Sequence, residues 1–185
     1  MAADKMGANA TKLLVGYATT EGQSRRIARH VADRLADAGH MVELLSLEDA
    51  EGLALDRFDR AVLVASIHAG PFRRALTVFA SGNAAWLDRH PVLFLSVSLA
   101  AAGHEAEDWR GLDRIIDDFA EVTGWAPERV EQIAGAYRPS EYDLFKRFIM
   151  RRIIATKDPE ADLDTDRDYT DWPALDALVD DWVAR

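Results

Sequence analysis

The chain has 185 residues, 49% of them hydrophobic and none of them cysteine, with a formal net charge of −10. That length and apolar content suit one domain with a sizeable core, and the missing thiols exclude disulfides, thiolate catalysis and cysteine-ligated iron–sulfur clusters. The acidic balance argues against nucleic acid as a partner, and no stretch nears the ~18 consecutive apolar residues of a membrane span.

Residues 1–11 read as a disordered polar tail without the apolar centre of a signal peptide, and 12–185 as the folded domain. Leu13-Leu14-Val15-Gly16-Tyr17 is an apolar run of strand length. Arg25 to Leu35 follows with Ile27, Val31 and Leu35 at helical spacing, closed by Gly39. A second strand spans Met41–Leu47, and a polar connection runs from Glu48 to Asp59. The third strand, Arg60–Ser66, is almost continuously apolar, which predicts burial on both faces. A helix from Phe72 to Trp86, a strand from Pro91 to Ser98, and a helix from Trp109 to Thr123 ended by Gly124 come next. Val130–Ala136 begins a fifth strand, and Pro173–Ala184 is the last helix. Strand and helix alternate throughout, which predicts an α/β fold: a doubly wound, five-stranded parallel sheet covered on both faces.

In such sheets ligands bind outside the carboxyl ends of the strands. Three loops leave those ends: Thr19–Ser24, Ile67–Arg73 and Leu99–Asp108. The first, Thr19-Thr20-Glu21-Gly22-Gln23-Ser24, joins a strand to a helix N-terminus, where free N–H groups and the helix dipole favour an anion. Its hydroxyls add donors, and Gly22 permits close backbone approach. It contains no Lys or Arg, so it is not a P-loop, and it lacks the glycine pattern of a dinucleotide fold. Its residues alone leave two readings open, a phosphate cradle or an ordinary capped turn. In the second loop, Ser66-Ile67-His68-Ala69-Gly70, the Ser66 hydroxyl and backbone amides can bond ring heteroatoms, whereas His68 is either a ring contact or a solvated histidine. The third, Ser96-Val97-Ser98-Leu99-Ala100-Ala101, is small and apolar enough to accept the other edge of a ring, or merely to turn the chain.

Tyr17–Ser24, Ala65–Gly70, Ser96–Leu99, and Ile133-Ala134-Gly135-Ala136 continuing to Tyr169-Thr170-Asp171-Trp172, taken in order, resemble one family. It is the flavodoxin-like protoporphyrinogen IX dehydrogenase (quinone) family of bacteria, and the likeness runs from about Thr11 onward. The resemblance implies a flavodoxin fold, non-covalent FMN, and oxidation of protoporphyrinogen IX with electrons passed to a respiratory quinone. It also implies a cytoplasmic location, peripheral to the inner face of the cytoplasmic membrane. By position, Thr19, Thr20, Glu21, Gly22 and Gln23 would hold the FMN phosphate, with Ser24 starting the helix. Ser66, Ile67, His68, Ala69 and Gly70 would flank the isoalloxazine on one side, and Ser96, Val97, Ser98, Leu99, Ala100 and Ala101 on the other. The chain departs from the family pattern in three places. Ala18 stands where members often have serine, Thr20-Glu21-Gly22-Gln23-Ser24 where they commonly have Arg-Asp-Gly-Gln-Thr, and His68-Ala69-Gly70 where they have Arg-Tyr-Gly.

Residues 137–168 correspond by this resemblance to the insertion that splits the fifth strand of long-chain flavodoxins. Within it, 143–157 carries Lys146, Arg147, Arg151, Arg152 and Lys157 against Asp143, together with seven bulky apolar residues. That mixture predicts a helix lying on an anionic membrane surface through about 142–157. The competing reading is a helix packed on the domain, its charges answered by the following acidic run, in which 158–185 sets ten acids against Arg167 and Arg185. Leu144, Phe145, Phe148, Ile149 and Ile153 share one half of the helical wheel, with Arg152 among them. Arg138, Tyr142, Arg147 and Arg151 are candidates to meet the two propionates of a porphyrinogen. No acid–base pair or metal-ligand cluster stands out, so no catalytic residue is nominated. Two rivals share the fold: a flavodoxin-type electron carrier, which the acidic charge suits, and an NAD(P)H:quinone reductase. A flavin-free adaptor at the membrane surface is a third.

Overall fold

The computed structural model of the protein describes residues 10–20, 22–67, 70–141 and 144–185. Five strands form one parallel sheet: β1 (Lys12–Ala18), β2 (Met41–Ser46), β3 (Arg60–Ser66), β4 (Val92–Ser98) and β5 (Arg129–Ala134), in spatial order β2-β1-β3-β4-β5. Helices α1 (Gln23–Asp37), α2 (Arg74–Leu87), α3 (Ala106–Thr123) and α5 (Trp172–Ala184) cover the sheet, and α4 (Leu144–Lys157) lies in the segment between β5 and α5.

Strand alternation decides which residues build each side of the core. Leu13, Val15, Val62, Val64, Leu93, Leu95 and Val97 pack against Ile27, Val31 and Leu35 of α1 and Leu175, Val179 and Trp182 of α5. Leu14, Leu63, Ala65 and Phe94 belong to the other side, with Leu76 and Phe79 of α2, Phe119 of α3, and Phe72 and Trp125. The three inner strands β1, β3 and β4 are buried almost throughout, whereas β2 and β5 at the sheet edges are largely half-buried. This is the burial that the continuous apolar runs call for.

The register aligns the strand ends that matter. Ala18 lies beside Ala65, Ser66 beside Val97, and Ser98 beside Ala134. The chain runs outward from β1 to β2 and then returns to β3 on the far side of β1, so strand order reverses between β1 and β3. The crevice at that reversal is where an open α/β sheet receives its ligand.

β5 is continuous from Arg129 to Ala134, and the chain leaves the sheet only after it. Gly135 makes the exit tight: its N–H donates to the Ser98 carbonyl at 3.0 Å, and a Cβ there would sit 3.3 Å from Val97 Cγ1. Beyond it, β6 (Ala136–Tyr137) pairs antiparallel with β7 (Arg167–Asp168), and α4 lies between these two short strands. No helix among the described residues is long and apolar enough to cross a membrane.

Candidate functional site

Gly22 is the N-cap of α1 at φ 83°, a left-handed conformation that a side chain would strain. Its N–H donates to Thr19 Oγ1 at 2.9 Å, which closes the loop on itself. The first turn of α1 contains no acidic residue of its own, which suits an anion at its N-terminus. Ser24 is fully buried in that turn, and Gln23 is 6% exposed. Glu21 lies outside the described residues.

The second loop is pinned by an antiparallel bridge between Ile67 and Phe72. Phe72 is buried with its ring 5.1 Å from that of Phe94 and 5.2 Å from that of Phe119. The anchored phenylalanine fixes its neighbour. Arg73 Nη1 donates to Thr20 Oγ1 at 3.1 Å, and Nη2 donates to Glu48 Oε1 at 3.2 Å. A loop without a cation in its own sequence therefore has a guanidinium on it. The sequence contained the signal, since Arg73 closes the second of the three site loops, but nothing local says which way it reaches. His68 and Ala69 lie outside the described residues, while Gly70 has φ 135°.

In the third loop, Ser98 Oγ accepts from Ala101 N–H at 3.2 Å, and Ala100–Ala102 form a single 3-10 turn. The indole of Trp109 donates to the Gly103 carbonyl at 3.0 Å. Lys157, at the end of α4, pairs with Asp108, and its Nζ lies 3.3 Å from where a Cβ on Gly103 would be. Ile154 of α4 is 1% exposed and forms a small apolar cluster with Tyr137, against which Leu99, Met150, Leu163 and Tyr169 pack. The insertion helix thus rests on the third loop.

Three arginines of the insertion have partners within the protein. Arg151 pairs with Asp164, Arg147 Nε donates to the Pro139 carbonyl at 3.1 Å, and Arg138 Nη2 donates to Gln23 Oε1 at 3.2 Å. Arg138 thus reaches the first turn of α1, and Tyr142 lies outside the described residues. The packing reading of α4 holds for Arg151, which meets the acidic run, while Arg152 is exposed and Ile153 is 36% exposed. The helix turns Ile154, not Ile153, into the protein. Burial pushes the Tyr137 phenol up, and its hydroxyl donates to the Leu163 carbonyl at 2.9 Å.

Asp168 on β7 ties the returning chain to the start of α1. It accepts from Gln23 Nε2 at 3.0 Å, Thr170 N–H at 3.0 Å, Arg26 Nη1 at 2.7 Å and Trp172 Nε1 at 3.2 Å. Partial burial works to raise its carboxyl, but the donors from Thr170 and Trp172 and the Arg26 charge outweigh it and hold the group below the usual carboxylate range. Thr170 Oγ1 completes the connection by donating to the Ala134 carbonyl at 2.7 Å. Nothing local in the sequence revealed this network, whose members lie at opposite ends of the chain.

A flavodoxin-domain family model matches residues 14–164. The protoporphyrinogen IX dehydrogenase [quinone] of Escherichia coli (strain K12) is 30% identical over 161 residues, spanning 87% of this chain and 88% of that one. The chain belongs to this family of flavodoxin-domain proteins. The protein of the same name from Leishmania major is 27% identical over 97% of this chain and 78% of its own. Among solved structures, oxidised flavodoxin 2 from Bacillus cereus covers 94% of this chain and 98% of its own, with a TM-score of 0.52 and 16% identity, a likeness of fold. A flavodoxin domain implies FMN as the cofactor.

The residues present fit that group. Among the described residues, the buried Oγ atoms of Ser24, Ser66 and Ser96 have no hydrogen-bond partner. Buried hydroxyls are rarely left so. They stand in the first turn of α1, at the end of β3 and near the end of β4, on all three elements that feed the crevice. A ligand with phosphate, hydroxyl and ring acceptors would supply what they lack.

Proposed function

We propose that this chain is an FMN-dependent dehydrogenase that oxidises protoporphyrinogen IX to protoporphyrin IX in heme biosynthesis and passes the electrons to a quinone. The observation that carries this reading is the near full-length match to a relative of that name, 88% of whose length is covered. Bound FMN supplies acceptance of hydride equivalents from the porphyrinogen in repeated two-electron steps and their return to quinone.

The protein's part is to bind and orient. In this reading the amides of Gln23 and Ser24 and the hydroxyls of Thr19, Thr20 and Ser24 receive the phosphate, with Glu21 and Gly22 in the same loop. Ser66–Gly70 and Ser96–Ala101 flank the flavin ring, and Ser66 and Ser96 offer it hydroxyls that no protein group uses. The α4 helix packs on Leu99 of the third loop and so braces that side of the proposed flavin site. Arg138, Tyr142, Arg147 and Arg151 remain the proposed contacts for the porphyrinogen propionates.

Residues 12–185 act as one flavodoxin-like unit, with 137–168 as its insertion. We place the protein in the cytoplasm, peripheral to the inner face of the cytoplasmic membrane and docked on anionic lipid through about 142–157. The exposed Arg152 and part-exposed Ile153, with Trp109 37% exposed, support that docking. Sedimentation with phosphatidylglycerol vesicles tests it. Wild type should pellet at low salt and Arg152→Glu/Ile153→Glu should not, whereas equal pelleting of both would remove the helix from the interface.

The activity is tested by anaerobic addition of protoporphyrinogen IX to the flavin-loaded protein. Loss of the oxidised flavin absorbance, followed by its recovery on addition of a menaquinone analogue, is the expected result. A flavin that ignores the porphyrinogen but cycles with a one-electron partner would make the protein an electron carrier.

A further inference from the structure

Hydroxyls and amides alone can hold a phosphate dianion, and the sequence of the first loop offers nothing more. The fold adds a charge. Phe72, buried among Phe94 and Phe119, sets Arg73 at the start of α2, and Arg73 Nη1 reaches Thr20 Oγ1 at 3.1 Å. The guanidinium is steadied by Glu48 at 3.2 Å, a carboxylate 57% exposed whose own charge is largely screened by water. Of the two arginines in the first turn of α1, Arg25 is exposed and Arg26 is committed elsewhere. It pairs with Asp168 at 2.7 Å and lies 4.9 Å above the Trp172 ring.

We propose that Arg73 is a specificity-determining residue for the cofactor: its guanidinium, held against Thr20, meets the FMN phosphate and selects the phosphorylated flavin over riboflavin. The inference rests on the FMN reading above. A guanidinium presents five donors in a fixed fork, so Arg73 can keep its bond to Glu48 and still offer an N–H to a phosphate oxygen beside Thr20. A charge-assisted bond of this kind is about twice as strong as the neutral hydroxyl and amide bonds beside it, and it acts only on the ligand that bears the phosphate.

The test is a flavin-fluorescence titration of flavin-free wild type, Arg73→Gln and Arg73→Lys with FMN and with riboflavin, at low and high ionic strength. The Arg73 side chain makes no capping bond to α2, so neither substitution removes a helix cap, and far-UV circular dichroism checks the fold. Arg73→Gln should weaken FMN by about tenfold or more, leave riboflavin within about twofold, and flatten the salt dependence of FMN binding. Arg73→Lys should keep part of the preference. An unchanged FMN affinity, or an equal loss for both flavins, would overturn the proposal and make Arg73 a brace for the loop. Wild type that binds neither flavin would instead overturn the cofactor reading itself.

Discussion

Replacing Asp168 by alanine should loosen the joint between the insertion and the first turn of α1. Four donors converge on this carboxylate, whose side chain is 26% exposed. The bonds from Thr170 N–H, Gln23 and Trp172 contribute about 1 kcal/mol each. The pair with Arg26, itself 53% exposed, adds less than about 1 kcal/mol because water and salt screen it. Gln23 keeps its bond to Thr170 Oγ1 at 2.9 Å, which limits the loss at that buried amide. The expected cost is therefore about 2–3 kcal/mol, or roughly 5–10 °C in Tm for a chain of this size. Urea unfolding of the flavin-free protein, followed by far-UV circular dichroism, reads it directly. The effect must also depend on pH in one direction. A carboxyl held below its unfolded value contributes stability that is complete above about pH 4 and is lost as pH falls through the lower folded value. The gap between wild type and Asp168→Ala should hold from neutral pH down to that point and shrink below it. A gap under about 0.5 kcal/mol at pH 7, or one equally wide in strong acid, would refute the reasoning.

Ile154→Ala empties a buried site in the small cluster beneath α4, at a local cost of about 2–4 kcal/mol. Because that cluster is separate from both sides of the main core, proteolysis within 144–168 should accelerate while the main unfolding transition moves little. A single transition lowered by the whole amount would mean that α4 unfolds with the sheet. Ser66→Ala removes a buried hydroxyl that has no partner in the protein. It should leave flavin-free stability unchanged or raise it by up to about 1 kcal/mol, and weaken FMN several-fold. Lost stability with unaltered FMN binding would take Ser66 out of the flavin site.

The sheet was legible because its inner strands are apolar on both sides. The expected β3, Arg60–Ser66, is the observed one, and β1 and β4 begin or end within one residue of their apolar runs. Helix starts were less legible. α1 begins at Gln23 rather than Arg25, and α3 at Ala106 rather than Trp109, because caps and first turns lack the apolar period that marks a helix interior. The two-residue strands β6 and β7 have no period at all, and their pairing depends on contacts made across the whole insertion. The apolar wheel of 144–157 put Ile153 on its apolar half but did not mark Ile154, which the tertiary packing buries beside Tyr137. The site shows the same division. The three loops and their strand ends could be read from order and spacing, whereas Arg73 on Thr20 and Asp168 beside Gln23 are contacts between segments far apart in the chain.

The most direct measurement is the absorption spectrum of the FMN-loaded protein, taken without oxygen before and after protoporphyrinogen IX and again after a menaquinone analogue. Bleaching of the oxidised flavin bands by the porphyrinogen, with protoporphyrin appearing and the bands returning on quinone, is the expected result. A flavin that stays oxidised in the presence of protoporphyrinogen IX would contradict the dehydrogenase reading.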